Sequence, residues 1–155
     1  MTIPVSTVDT VKDYLVAQIT AAINDPEVNV SYDVPGAWQP DDIIVVGDIQ
    51  VTNSIESFVG SGGAHWLFEA YEVDITISVF REGDLASTAW KRAKALSDLI
   101  DVAVRTDPTL GTGGTGIPSV QRAYPSTTRY QSEWAEDHSG RVVTVQKTIQ
   151  VEASI

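Results

Sequence analysis

The sequence predicts an α+β fold, a two-layer sandwich in which two helices cover one face of a mostly antiparallel sheet. Three observations carry this. Residues 67–80 alternate with a period of two. Leu67, Glu69, Tyr71, Val73, Ile75, Ile77 and Val79 fall on one side, and Glu72, Asp74, Thr76 and Ser78 on the other. That pattern describes a strand with one buried and one wet face. Residues 141–155 repeat it through Val143, Val145, Ile149, Val151, Ala153 and Ile155. Two further stretches place apolar residues every three or four positions, the period of an amphipathic helix. Long half-solvated strands belong to antiparallel sheets, and the two helical stripes supply the second layer.

Taken in order, Ser6-Thr7-Val8-Asp9 has the form of a capping box and predicts the start of the first helix. Val8, Val11, Leu15, Ile19 and Ile23 form its stripe, and Asn24-Asp25-Pro26 closes it. Residues 28–32 read as a short strand with Val28, Val30 and Tyr32 on one side. Residues 35–40 are a loop held by proline at both ends. A strand dense in β-branched residues follows at 43–51. Residues 53–63, ending in Gly60-Ser61-Gly62-Gly63, predict a mobile loop.

Within the 67–80 strand, Glu69 breaks the apolar side, which predicts that the strand overhangs the core at its start. Arg81-Glu82-Gly83 turns the chain, and Asp84 is placed to cap a helix beginning at Leu85. The stripe of that helix is Leu85, Ala89, Ala93, Leu96, Ile100, Ala103 and Val104, and Asp107-Pro108 ends it. Residues 107–117 read as a second flexible stretch. A strand over about 119–133, interrupted at Pro125, a polar turn at 133–140 and the 141–155 strand complete the chain. Lys147 interrupts the apolar side of the last strand. The order is α-β-β-β-α-β-β, with no internal repeat, and residues 1–155 are expected to form one domain.

Composition narrows the function. The formal net charge of −11 over 155 residues repels phosphate, so tight nucleic-acid binding over a broad patch is not expected. Such a surface still allows DNA to slide past. The chain has no cysteine, so disulfide and thiol chemistry play no part. Residues 1–6 contain neither a basic residue nor an apolar run, so no signal peptide is expected. No segment has the apolar length of a membrane span. Asn29-Val30-Ser31 matches a glycosylation sequon, read here as a chance occurrence.

The chemical motifs are weak. Residues 111–116 spell GxGxxG, but they follow a helix and lead into a strand. A dinucleotide site needs the reverse order. They read as a flexible loop. His65 and His138 lack a metal-ligand spacing. Glu133, Glu136, Asp137 and His138 read as a solvated acidic turn, with a cation or acid–base site as the alternative. No nucleophile elbow and no zinc-binding helix motif occurs. No catalytic residue, metal ligand or cofactor is therefore assigned. Trp38, Trp66 and Trp134 sit in predicted loops, as core plugs or as interface residues. Trp90 is expected in the core. Lys91, Arg92 and Lys94 make one helix locally basic, as a solvated face or as a contact to an acidic neighbour such as the next copy in a ring. Ile55, Phe58 and Val59 are apolar residues in a glycine-rich loop. They need a burial site, which the core or an assembly partner would supply.

Several stretches form a familiar series. They are Ile44-Val45-Val46-Gly47-Asp48, the glycine loop, Val79-Phe80-Arg81-Glu82-Gly83-Asp84, Ala93-Lys94-Ala95-Leu96, Arg105-Thr106-Asp107-Pro108-Thr109-Leu110-Gly111 and Gly140-Arg141. In this order they resemble the tail terminator, or tail completion, proteins of long-tailed bacteriophages, in the version seen in phages of actinobacteria. The resemblance runs from about residue 43 to 155. It implies a non-enzymatic virion protein, assembled in the host cytoplasm. Such proteins form a hexameric ring on the head-proximal end of the tail tube, stop tube polymerisation and face the head completion proteins. DNA crosses the ring without being held. Another head–tail connector or a minor tail protein is the neighbouring alternative. A ligand-binding or hydrolytic domain built on the acidic turn is the alternative from a different class.

Overall fold

The computed structural model describes residues 5–33, 40–55, 67–111, 117 and 119–155. The elements follow the predicted order: α1 (Val8–Ile23), β1 (Val28–Tyr32), β2 (Asp42–Ile55), β3 (Leu67–Glu82), α2 (Ala86–Arg105), β4 (Val120–Trp134) and β5 (Gly140–Ser154). They build a five-stranded sheet of order β1-β2-β3-β5-β4. β1 runs parallel to β2, and every other pairing is antiparallel. Both helices pack on one face, α1 over β1 and β2, and α2 over β3, β5 and β4. This is the α+β sandwich that the periodicities predict.

The pairing registers explain why alternation worked. Ile44, Ile77 and Val145 lie side by side, as do Val46, Ile75 and Lys147. One residue in two on three neighbouring strands therefore points at the helices. Val73, Ile75, Ile77, Val79, Val143, Val145, Ile149 and Val151 are buried there against Leu15, Ile19, Leu96 and Ile100. The opposite face carries Gln50, Glu72, Asp74, Thr76, Thr148 and Gln150 and stays polar. Two glycines are fixed by geometry. Gly83 turns β3 into α2 at φ 76°. A Cβ on Gly140 would lie 2.2 Å from the Arg81 carbonyl oxygen.

Several expectations need correction. β2 extends through Ile55, so residues 53–55 are strand and not loop. Residues 56–63, including Phe58 and Val59, lie outside the described residues, as do Trp38, Trp66, His65 and most of the GxGxxG stretch. Asp84 does not cap α2. The helix starts one residue later, its N-cap is Leu85 with no side-chain cap bond, and Asp84 accepts from Arg141 Nε at 3.1 Å instead. The capping box does not form either, because Thr7 is the N-cap and turns its hydroxyl inward. Trp90 is not a core residue. It is 38% exposed and stacks on Tyr130 with ring centroids 5.5 Å apart, covering the flank of the core next to β4.

Candidate assembly surfaces

Four polar clusters tie the elements together, and they determine which charged residues remain available outside. The first lies at the base of β2. Asp42 is buried. It accepts from Arg81 Nη1 at 2.6 Å and Nη2 at 3.2 Å, and from Arg92 Nε at 2.9 Å. Arg92 also reaches Asp25 at 3.0 Å. Burial pushes the Asp42 carboxyl up, but the bonds and charges of Arg81, then Arg92, outweigh it and hold the group below the ordinary carboxylate range. One carboxylate thus joins β2, the end of β3 and α2, and Arg92 adds the turn after α1.

The second cluster reverses the reading of Glu69. This residue is fully buried and does not overhang the core. Its Oε1 accepts from the Thr7 N–H at 2.8 Å and from Thr7 Oγ1 at 2.6 Å. Tyr71 OH and Thr7 Oγ1 are 2.8 Å apart. Because the Thr7 proton is committed to Glu69, Tyr71 must be the donor. Burial pushes the Tyr71 phenol well above its ordinary range. The cluster supplies the acceptor that the first turn of α1 lacks, so a carboxylate 62 residues away does the work of a local cap.

The third cluster surrounds Lys147, whose side chain is fully buried in the apolar row of β5. Its ammonium meets Asp101 at 2.6 Å, Ser97 Oγ at 3.0 Å and Thr128 Oγ1 at 3.0 Å. Two donors of the ammonium are hydrogen-bonded to the hydroxyls of Ser97 and Thr128, and Asp101 supplies the opposite charge as an ion pair. A fourth, smaller cluster ends α2. Tyr14 OH donates to Asp107 Oδ2 at 2.5 Å, and the Gly111 N–H donates to Oδ1 at 2.8 Å. The bond to Asp107 raises the Tyr14 phenol to about 12.

The residues singled out for assembly therefore separate. Arg92 is committed to internal ion pairs. Lys94 is exposed and bonds Asp98 one turn away at 2.6 Å, and Lys91 is exposed beside it. Ile55 stands at the end of β2 opposite Leu67, in the row that faces the helices, and is 51% exposed. The acidic turn at 133–140 carries Trp134 between the Arg141 guanidinium, 3.9 Å from the ring centroid, and His138. Among the described residues, no group of three or more His, Cys, Asp or Glu side chains is placed to hold a metal ion. No described helix is long and apolar enough to cross a membrane.

Two helices on one face of a five-stranded sheet, with β5 inserted between β3 and β4, define the architecture. A chain from the virion of a native gene transfer agent (GTA) particle shares it. The two superpose with a TM-score of 0.56 over 97% of this chain and 100% of that one, at 12% sequence identity. No protein-family model matches the sequence, and no curated protein matches it. At this identity the likeness is one of fold.

Sequence reasoning missed Asp42, Thr7 and the partners of Glu69 and Lys147. Glu69 and Lys147 did leave a signal, since each interrupts an otherwise apolar row. A charge in such a row marks either an exposed end or a buried pair, and only the fold distinguishes the two.

Proposed function

We propose that this chain is a structural virion protein of a tailed-phage-like particle, with residues 1–155 acting as one tail-terminator-like domain. In this reading it forms a ring, six-fold by the resemblance, on the head-proximal end of the tail tube. It ends tube polymerisation, presents the surface that head completion proteins join, and does no chemistry. The observation that carries the reading is the end-to-end likeness to a chain of a GTA virion, in agreement with the motif series along the sequence. The formal charge of −11 supports a passage that lets duplex DNA move without holding its phosphates. The likeness to a virion chain also fits another head–tail connector or a minor tail protein, and the position in the particle separates these readings.

The test is assembly. Purified protein imaged at rising salt, with and without tail tubes, is expected to form closed rings that dock on one tube end. Six acidic copies repel one another, so salt and divalent cations should favour the ring. Particles depleted of the protein should carry tubes of uncontrolled length. A protein that stays monomeric at high concentration, in salt and with tubes present, refutes the ring. Sub-micromolar affinity for duplex DNA at physiological salt refutes the open passage.

A further inference from the structure

The sheet has two open edges of matching length. β1 pairs with β2 only along the first part of β2, from Asp42 to Val46. Past the irregularity between Val46 and Ile49, residues 49–55 of β2 pair with β3 on one side. Among the described residues they have no strand on the other. The other edge is β4. Its first part is broken by irregularities at Val120/Arg122 and Pro125/Thr127, but residues 127–134 pair with β5 without interruption. Proline and bulges blunt an edge, and a regular stretch leaves it open. Seven regular residues on one edge thus correspond to eight on the other.

We infer that, within the ring proposed above, residues 127–134 of β4 in one copy pair antiparallel with residues 49–55 of β2 in the next copy. The polarity follows from the topology. β2, β3, β5 and β4 alternate in direction, so β4 runs opposite to β2. A neighbour related by rotation about an axis that lies in the plane of the sheet and is inclined to the strands keeps its helices on the same side and presents β4 antiparallel to β2. The contact is head-to-tail, which is the kind that closes into rings.

The register sets the offset. Ile49 lies level with Val73, Ile149 and Pro125, whereas the regular part of β4 lies level with β1. A neighbour placed without offset would run β4 into β1. Sliding it along the strands by six to eight residues, about 20–25 Å, clears β1 and aligns the two regular stretches. Closed sheets require a stagger of this kind.

The side chains fit the same arrangement. Val51 and Ile55 on β2 and Trp134 on β4 are exposed apolar residues in the rows that face the helices. An offset of eight residues brings Trp134 opposite Ile49 and diagonal to Val51, and Ile55 opposite Thr128. On the opposite face, Arg129 of β4 would stand opposite Thr52 or Ser54 of β2 and bring a positive charge to a seam between copies that each carry −11.

The absence of native cysteine gives a direct test. Gln131→Cys is combined with Thr52→Cys in one full-length variant and with Gln50→Cys in another, which correspond to offsets of eight and six residues. All three positions are exposed, lie on the polar face, and the last two bracket the register. Mild oxidation of the assembled protein should give, in at least one variant, a ladder of covalent oligomers that ends at the number of copies in the ring. Each single variant should stop at dimer or below. Arg129→Glu, an independent probe, should raise the concentration needed for half-assembly about tenfold. Rings that form normally while both double variants give no ladder overturn this contact and leave the ring itself standing. A chain that never assembles overturns both.

Discussion

Removing Asp101 tests whether Lys147 is held as the geometry implies. In Asp101→Ala the ammonium keeps Ser97 and Thr128 but loses its only charged partner among the described residues, 2.6 Å away. Breaking a buried pair by deleting one side costs about 3–5 kcal/mol. The Asp101 side chain is 31% exposed, so water relieves part of this and the lower end applies, about 3 kcal/mol. In a domain of this size each kcal/mol moves Tm by about 2–4 °C, so the variant should melt about 6–12 °C below the parent. Lys147→Met restores the apolar row of β5 and frees Asp101 to solvate, so it should cost under about 1 kcal/mol or stabilise. The double variant should melt near the Lys147→Met value, since no uncompensated charge remains. Thermal melts followed by circular dichroism at pH 7 suffice, with urea titrations as a check on two-state behaviour. Asp101→Ala melting within about 1 °C of the parent would refute the pairing argument. So would a double variant as unstable as Asp101→Ala.

Other expectations follow from single contacts. Ile77→Asp should leave the chain unfolded, because it places an unpaired charge at a fully buried position in the middle of β3; a retained cooperative melt would contradict the face assignment. Asp42 sits below its ordinary value of 3.8, so its share of stability is present above that pH and is lost as pH falls through the lower folded value. Acid titration of Asp42→Asn should therefore show a shallower loss of stability below pH 3.8 than the parent, and identical slopes would contradict it. Ile55→Ser with Phe58→Ser should leave Tm nearly unchanged, since Ile55 is half exposed, yet abolish tube capping; a melted domain would return these side chains to the core.

The layered fold was legible because each strand and each helix exposes one face and buries the other. That rule writes itself into the local sequence as a period, and Ile75, Ile77, Val143 and Val145 could be placed from it alone. The contacts that fix the elements in space were not legible. The pairs Thr7 with Glu69, Arg92 with Asp42 and Lys147 with Ser97 span 62, 50 and 50 positions, and nothing local distinguishes them. Local rules failed where such a partner intervened. Asp84 had the right residue type for a cap, but Arg141 engages it. Thr7 had the right position, but Glu69 takes its proton. Of the residues singled out for assembly, Ile55, Lys91 and Lys94 remain at the surface, whereas Arg92 is drawn inward by two carboxylates that lie far away in sequence.

The place of β5 has a consequence for how the chain acquires its structure. It is the last element in chain order, yet it lies between β3 and β4 and hydrogen-bonds to both. Until it has been synthesised, β4 has no strand to pair with, and β3 carries an unfilled edge beside the row from Val73 to Val79. The hairpin of β4 and β5 can form early, because its turn is short. Its docking onto β3 must then bridge the whole of α2, a non-local closure of the kind that slows folding. Fragments that stop before residue 140 should therefore be insoluble or chaperone-bound rather than partly native. A nonsense mutation just before the codons of β5 would be as damaging as one in the middle of α2.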